Sequence, residues 1–170
     1  MTTTKQKKLI KLDIGAGGSR RDEDFTTIDL FGEPDIKASM WEIPLGDGSV
    51  EEIWCSHALE HIACADVNRT LKEFLRVLRP GGRAIIQVPN FDYVARYWLT
   101  GPDRTWAEQM VFGKQDHEGE FHKTAWTNGI LEGDLRGAGF EVDRIEIRWT
   151  HNQETWQAVA HKPKENPSEG

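Results

Sequence analysis

Six histidines stand in the chain, and four of them, His57, His61, His117 and His122, fall in two short stretches. Imidazole is the side chain whose pKa suits taking a proton from a hydroxyl or an ammonium near neutral pH. His57, Glu60 and His61 also form an H-x-x-E-H array that could gather metal ligands, and its nitrogen content favours zinc or another transition metal over magnesium. A second group of residues points to ligand binding. Gly15 and Gly17, in Asp13-Ile14-Gly15-Ala16-Gly17, let the backbone approach a ligand that a β-carbon would exclude. Asp29, a dozen residues on, has a carboxylate that can accept two hydrogen bonds from a ribose diol.

These residues need a scaffold. Residues 7–14 (KKLIKLDI) begin polar, turn apolar and end at the glycines, the pattern of a buried parallel strand running into a ligand loop. Further β-type runs lie at 26–30, 35–38, 51–56, 83–88, 141–149 and 156–161, giving seven strands. Between Asp66 and Arg79 the residues Val67, Leu71, Phe74, Leu75 and Leu78 repeat at helical spacing. Asp66 is placed to cap that helix, and Pro80-Gly81-Gly82 to stop it. Strand, helix and strand in succession make a right-handed βαβ unit. The expected fold is therefore α/β: a doubly wound, mostly parallel, seven-stranded Rossmann-like sheet. Thr127 is expected to cap a second helix ended by Gly139, with Gly129, Gly133 and Gly137 forming a bare stripe that packs closely on a neighbour.

Bulk properties bound the function. A length of 170 residues suits one domain, read as 7–161 between a flexible N-terminus (1–6) and a flexible polar tail (162–170). The formal charge of −7 argues against a broad grip on nucleic acid, so a small acceptor is favoured and Arg20, Arg21, Lys72, Arg76 and Arg79 are read as a solvated face. No run approaches the roughly 18 apolar residues of a membrane helix, and residues 1–6 lack the apolar segment of a signal peptide. A cytoplasmic monomer or homodimer with reduced Cys55 and Cys64 is expected.

Four blocks together resemble the class I methyltransferases that use S-adenosylmethionine (SAM), in particular their small type-11-like members. They are LDIGAGG at 12–18, the acid of IDL at 28–30, IPLGDGSVEEIWCSHALEHI at 43–62 and FLRVLRPGGRAIIQVPN at 74–90. The resemblance implies SAM as cofactor. It also implies that Asp13, Gly15, Ala16 and Gly17 surround its methionine portion, Asp29 holds the ribose hydroxyls and Leu30 lies beside the adenine. Where the family often has an acidic residue at the adenine edge this chain has Ser39-Met40-Trp41, so Ser39 or the Met40 amide takes that place. Ser56 and His57 face the reacting end of the cofactor with His61 behind them. His122, in a loop resembling the acceptor side, is the first candidate for a catalytic base, and His57 the second. Some related O-methyltransferases carry E-x-x-E-H with a divalent ion at the position of His57, Glu60 and His61. Leu-Glu-His is nevertheless common in the family without a metal, and none is expected here.

One departure is the span of only ten residues between Gly17 and Ile28, too short for a full crossover helix, so the first crossover is expected to be shortened and the cofactor open on one side. The aromatic residues between 91 and 126, among them Trp98, Trp106 and Trp126, mark where an acceptor lid sits and are read mostly as packing. Two other readings compete. A non-enzymatic module of the same fold would bind a partner and no SAM. A nicotinamide-dependent oxidoreductase would use the same crevice, but the chain has no full G-x-G-x-x-G spacing.

Overall fold

A computed structural model describes residues 9–18 and 20–164. The N-terminal segment 1–6, the first two residues of the strand read from Lys7, and the end of the tail from 165 lie outside the described residues. The strands are β1 (Ile10–Ile14), β2 (Phe25–Asp29), β3 (Ile36–Lys37), β4 (Val50–Ser56), β5 (Leu78–Pro89), β6 (Glu141–Thr150) and β7 (Gln153–His161). Their order in one sheet is β3-β2-β1-β4-β5-β7-β6, as expected of the doubly wound class. The pairs from β3 to β5 are parallel, and β7 runs antiparallel to both β5 and β6. The order reverses between β1 and β4, so their carboxyl ends open the crevice in which such sheets bind ligands.

Between β4 and β5 lies α1 (Cys64–Val77), whose Val67, Leu71, Phe74 and Val77 are buried at helical spacing. They share a core with Leu12, Ile53, Ala84, Ile86, Ala158 and Ala160 of the sheet, and with Leu131 and Leu135 of α4 (Asn128–Ala138). Each large side chain so buried contributes about 1.5–3 kcal/mol. The helix starts three residues earlier than the sequence suggests. Ala63 is the N-cap and makes no side-chain cap, while Asp66 sits in the first turn and pairs with Arg69 at 3.0 Å. It also ends earlier, because Leu78 is already extended and Arg79, Pro80, Gly81 and Gly82 belong to β5.

Thr127 caps α4 through the Ile130 amide, and Gly139 closes it in the left-handed region, as its sequence predicts. The glycine stripe does not pack as expected. A β-carbon at Gly129, Gly133 or Gly137 would meet nothing within 4 Å, because the buried face of α4 is carried by Leu131 and Leu135. No helix forms among the described residues between β1 and β2, which take turns instead, so the first crossover is shortened as expected. Two helices not drawn from periodicity, α2 (Phe91–Thr100) and α3 (Arg104–Phe112), follow β5 and are capped by Asn90 and Asp103. Lys162, read as the first tail residue, is fixed: its amide donates to Gly82 O at 2.9 Å and its ammonium to Leu78 O at 2.8 Å.

Candidate functional site

The glycine loop leaves β1 at the crevice. Gly15, at φ +72°, has no room for a side chain, since a β-carbon there would lie 2.2 Å from Ala58 Cβ. Its lack of a side chain thus seats the loop against the segment after β4, a different purpose from the ligand approach expected of it. Gly17, at φ +56°, faces open space. Its amide donates to Asp29 Oδ2 at 3.0 Å, while the Phe31 amide donates to Asp29 Oδ1 at 2.9 Å. Each carboxylate oxygen keeps a second lone pair for a ligand. Ala16, Gly18, Arg20, Thr27, Asp29 and Phe31 are among the residues that line a small open groove of about 110 Å³.

Asp13 is buried at the end of β1 and accepts the Arg21 amide at 2.7 Å. Burial pushes its carboxyl above the ordinary aspartate value, against the opposing pull of that hydrogen bond. Of the basic residues read as a solvated face, Arg20 bonds Asp35 through 2.8 and 2.9 Å contacts and Arg21 lies over the Trp54 ring at 3.5 Å. Leu30, beside Asp29, is 45% exposed. Ser39 and Met40 do not line this groove: the Ser39 carbonyl accepts from Glu42 N–H and Met40 packs on the core.

Beyond β4, Ser56 donates to Gln87 Oε1 at 2.7 Å, and the His57 amide donates to Gln87 O at 2.9 Å. His57 sits at φ +52°, strained for a non-glycine residue, and both its ring nitrogens are engaged. Nδ1 lies 3.3 Å from Glu60 Oε1, and Nε2 lies 3.1 Å from Thr150 Oγ1 and 3.3 Å from Thr155 Oγ1. Glu60, on a 3-10 turn (Leu59–His61), is 2% exposed. Its burial raises the carboxyl pKa, but the His57 bond and the charges of His57, His61 and His122 outweigh that and hold it below the ordinary value.

His122 reaches this cluster because residues 122–124 are tied on both sides. Lys123 and Thr124 amides donate to Glu60 O at 2.6 and 3.2 Å, and the His122 amide donates to Phe112 O at 3.0 Å. The His61 and His122 rings meet at 4.9 Å between centroids. Burial holds His122 below the ordinary histidine pKa, so its ring is neutral near pH 7. His117 stands apart, against Phe31 at 5.2 Å. Trp126 is buried with its Nε1–H on Asp134, and Tyr93, Tyr97 and Trp106 pack on one another, whereas Phe91, Trp98, Phe112 and Phe121 are exposed.

A family model described as a methyltransferase domain matches residues 24–86, from the approach to β2 into β5. No curated protein matches the sequence significantly. Among solved structures, a SAM-dependent methyltransferase of Methanosarcina mazei superposes with TM-score 0.68 at 18% identity, covering 94% of this chain and 95% of the other. The 1,6-didemethyltoxoflavin-N1-methyltransferase of Burkholderia thailandensis, solved with its substrate and S-adenosylhomocysteine, gives TM-score 0.63 at 17% identity, covering 91% and 71%. The [4+2]-cyclase SpnF gives 0.61 at 15%, covering 92% and 75%. The fold is that of a class I SAM-dependent methyltransferase. The seven-stranded sheet and the four sequence blocks agree with it.

Within this methyltransferase fold, sequence reasoning missed Phe31, Gln87, Thr150, Thr155 and His151. Phe31 had a local signal, an apolar ring following an acid at a strand end. His151 and the two threonines had none, because the β6–β7 turn, with His151 and Asn152 at φ +50° and +62°, brings them from about 90 residues away to His57.

Proposed function

We propose that this chain transfers a methyl group from SAM to a small-molecule acceptor, with a hydroxyl of a sugar or biosynthetic intermediate as the first candidate. The observation that carries this reading is the bond from the Gly17 amide to Asp29, which joins the glycine loop and the strand-end acid across the crevice. The residues present fit the cofactor. Asp29 keeps lone pairs for a ribose diol, the groove beside it has Phe31 at its edge, and Gly17 presents bare backbone. Asp13, Gly15 and Ala16 are assigned to the methionine end, and Ser56, His57 and His61 to the reacting end. Ser39 or the Met40 amide is assigned to an adenine edge outside that groove.

SAM supplies an activated methyl group on a good leaving group. The protein then has to align the acceptor, exclude water and, for a hydroxyl or ammonium, receive a proton. His122 is assigned that last part: its ring is neutral near pH 7, and its Nδ1 is bonded to Met110 O at 2.9 Å, which leaves Nε2 free. His57, held through both nitrogens, is assigned to position Glu60. The small acceptor is supported by the Burkholderia enzyme's bound substrate and by the acidic chain. No helix among the described residues is long and apolar enough to cross a membrane.

The bare first crossover favours one other reading, a module of this fold that binds a partner and performs no transfer. The two separate when the protein is incubated with methyl-labelled SAM and a panel of small hydroxyl and amine compounds. Label on a small molecule supports the transferase; absence of SAM binding supports the module.

A further inference from the structure

We infer that Glu60, His61 and His122 form a binding site for a divalent transition-metal ion, with zinc as its first candidate. One ligand atom from each of the three residues lies within 4.8 Å of the others. The triple differs from the H-x-x-E-H array of the sequence, because His57 turns to the other oxygen of Glu60 and His122 arrives from 62 residues downstream of Glu60.

Three features make the cluster more than a coincidence of polar groups. Glu60 is 2% exposed, and its Oε2 has no hydrogen-bond partner, a costly state for a buried carboxylate oxygen. Both imidazoles are oriented by main-chain carbonyls. His61 Nδ1 lies 3.3 Å from Phe121 O, and His122 Nδ1 lies 2.9 Å from Met110 O. A carbonyl only accepts, so each Nδ1 carries a hydrogen and Nε2 is the nitrogen left to bind a metal. That is the usual outer-shell support of a metal-binding histidine. Finally, Glu60 Oε1 is steadied by His57, which Thr150 holds in turn at 3.1 Å.

The acceptors therefore converge with no donor between them, an arrangement that a cation relieves. Two imidazole nitrogens and one carboxylate suit zinc or a neighbouring first-row ion better than magnesium or calcium. Donors about 2.0–2.2 Å from zinc stand roughly 3.3–3.6 Å apart, so modest side-chain rotation from the present spacing closes the site. Three protein ligands leave one position for water or an acceptor oxygen. The inference does not rest on the methyl-transfer reading, but it alters the part of His122 there: with an ion bound, His122 acts on the acceptor through the metal.

The test uses untagged full-length protein, stripped with chelator and free of SAM. Zinc is titrated by calorimetry, and cobalt(II) by its visible d–d absorption. The expected result is one ion per chain, with His61→Ala and His122→Ala each weakening binding at least tenfold and His161→Ala, far along β7, leaving it unchanged. Circular dichroism checks that the variants fold. Should either fail to fold, ring-nitrogen NMR of the wild-type protein replaces it, with zinc expected to shift Nε2 of His61 and His122. No stoichiometric binding, binding indifferent to both substitutions, or NMR showing one ring protonated and unmoved by zinc would overturn the site. Because SAM is absent throughout, these outcomes are separate from any failure of the cofactor reading.

Discussion

Gly15 and Ala58 stand so close that a β-carbon on Gly15 would lie 2.2 Å from that of Ala58. The contact seats the glycine loop of β1 on the segment that carries His57, Glu60 and His61, and so joins the proposed cofactor loop to the proposed acceptor side. Gly15→Ala adds both this clash and left-handed strain at φ +72°, and is expected to cost about 3 kcal/mol or more. Adding Ala58→Gly relieves the clash but not the backbone strain, so the double variant recovers part of the loss. Chemical denaturation of the three proteins checks this, and no recovery in the double variant contradicts it.

Asp13 and SAM affinity are expected to trade against stability. Burial raises the Asp13 pKa, so folding is favoured as pH falls through that raised value and is penalised above it. Asp13→Asn removes the penalty and can still accept the Arg21 amide. Its melting temperature is expected to exceed that of the wild type at pH 7, while SAM binding weakens about tenfold. A lower melting temperature with unchanged affinity contradicts both halves.

Glu73 supplies the opposite sign. Its hydrogen bond from Arg76, aided by the Ile43 amide and the Arg76 charge, outweighs burial and holds its carboxyl below the ordinary glutamate range. The stabilisation is complete above the unfolded-state value and is lost as pH falls through the depressed folded value. Arg76 also donates to the carbonyls of Ile43 and Leu45, tying that loop to α1. Glu73→Gln is expected to cost about 1–2 kcal/mol at pH 7 and to flatten the acid limb of the stability curve. Thermal melts from pH 3 to 7, as a nominal range of about four units, check it.

His122→Ala is expected to slow turnover by about 10²–10⁴-fold and to leave SAM affinity within about twofold, because the residue is assigned to the acceptor and not to the cofactor. Single-turnover kinetics with labelled SAM separates the two quantities. An unchanged rate with the true acceptor removes the assignment.

Much of the scaffold was legible because its signals are local. The apolar run into Gly15, the period of Val67, Leu71 and Phe74, and the Thr127 and Gly139 caps each mark an element within a few residues. Helix α1 was misplaced at both ends since Ala63 carries no capping side chain and Leu78 is apolar whether helical or extended. The stripe at Gly129, Gly133 and Gly137 misled because small residues signal close packing only where a neighbour exists, and here none lies within 4 Å. At the site, Asp29 and the loop were legible from strand-end chemistry. The meeting of His122 with Glu60, and of His57 with Thr150, was not, because both depend on main-chain bonds between segments far apart in sequence.

The central claim is tested most directly by calorimetric titration of SAM into the wild-type chain and into Asp29→Ala. The account predicts one SAM bound per wild-type chain, a loss of roughly ten- to a hundredfold in affinity for the variant, and no comparable binding of NAD to the wild type. No SAM binding by the wild type, or equal binding by wild type and variant, would contradict it.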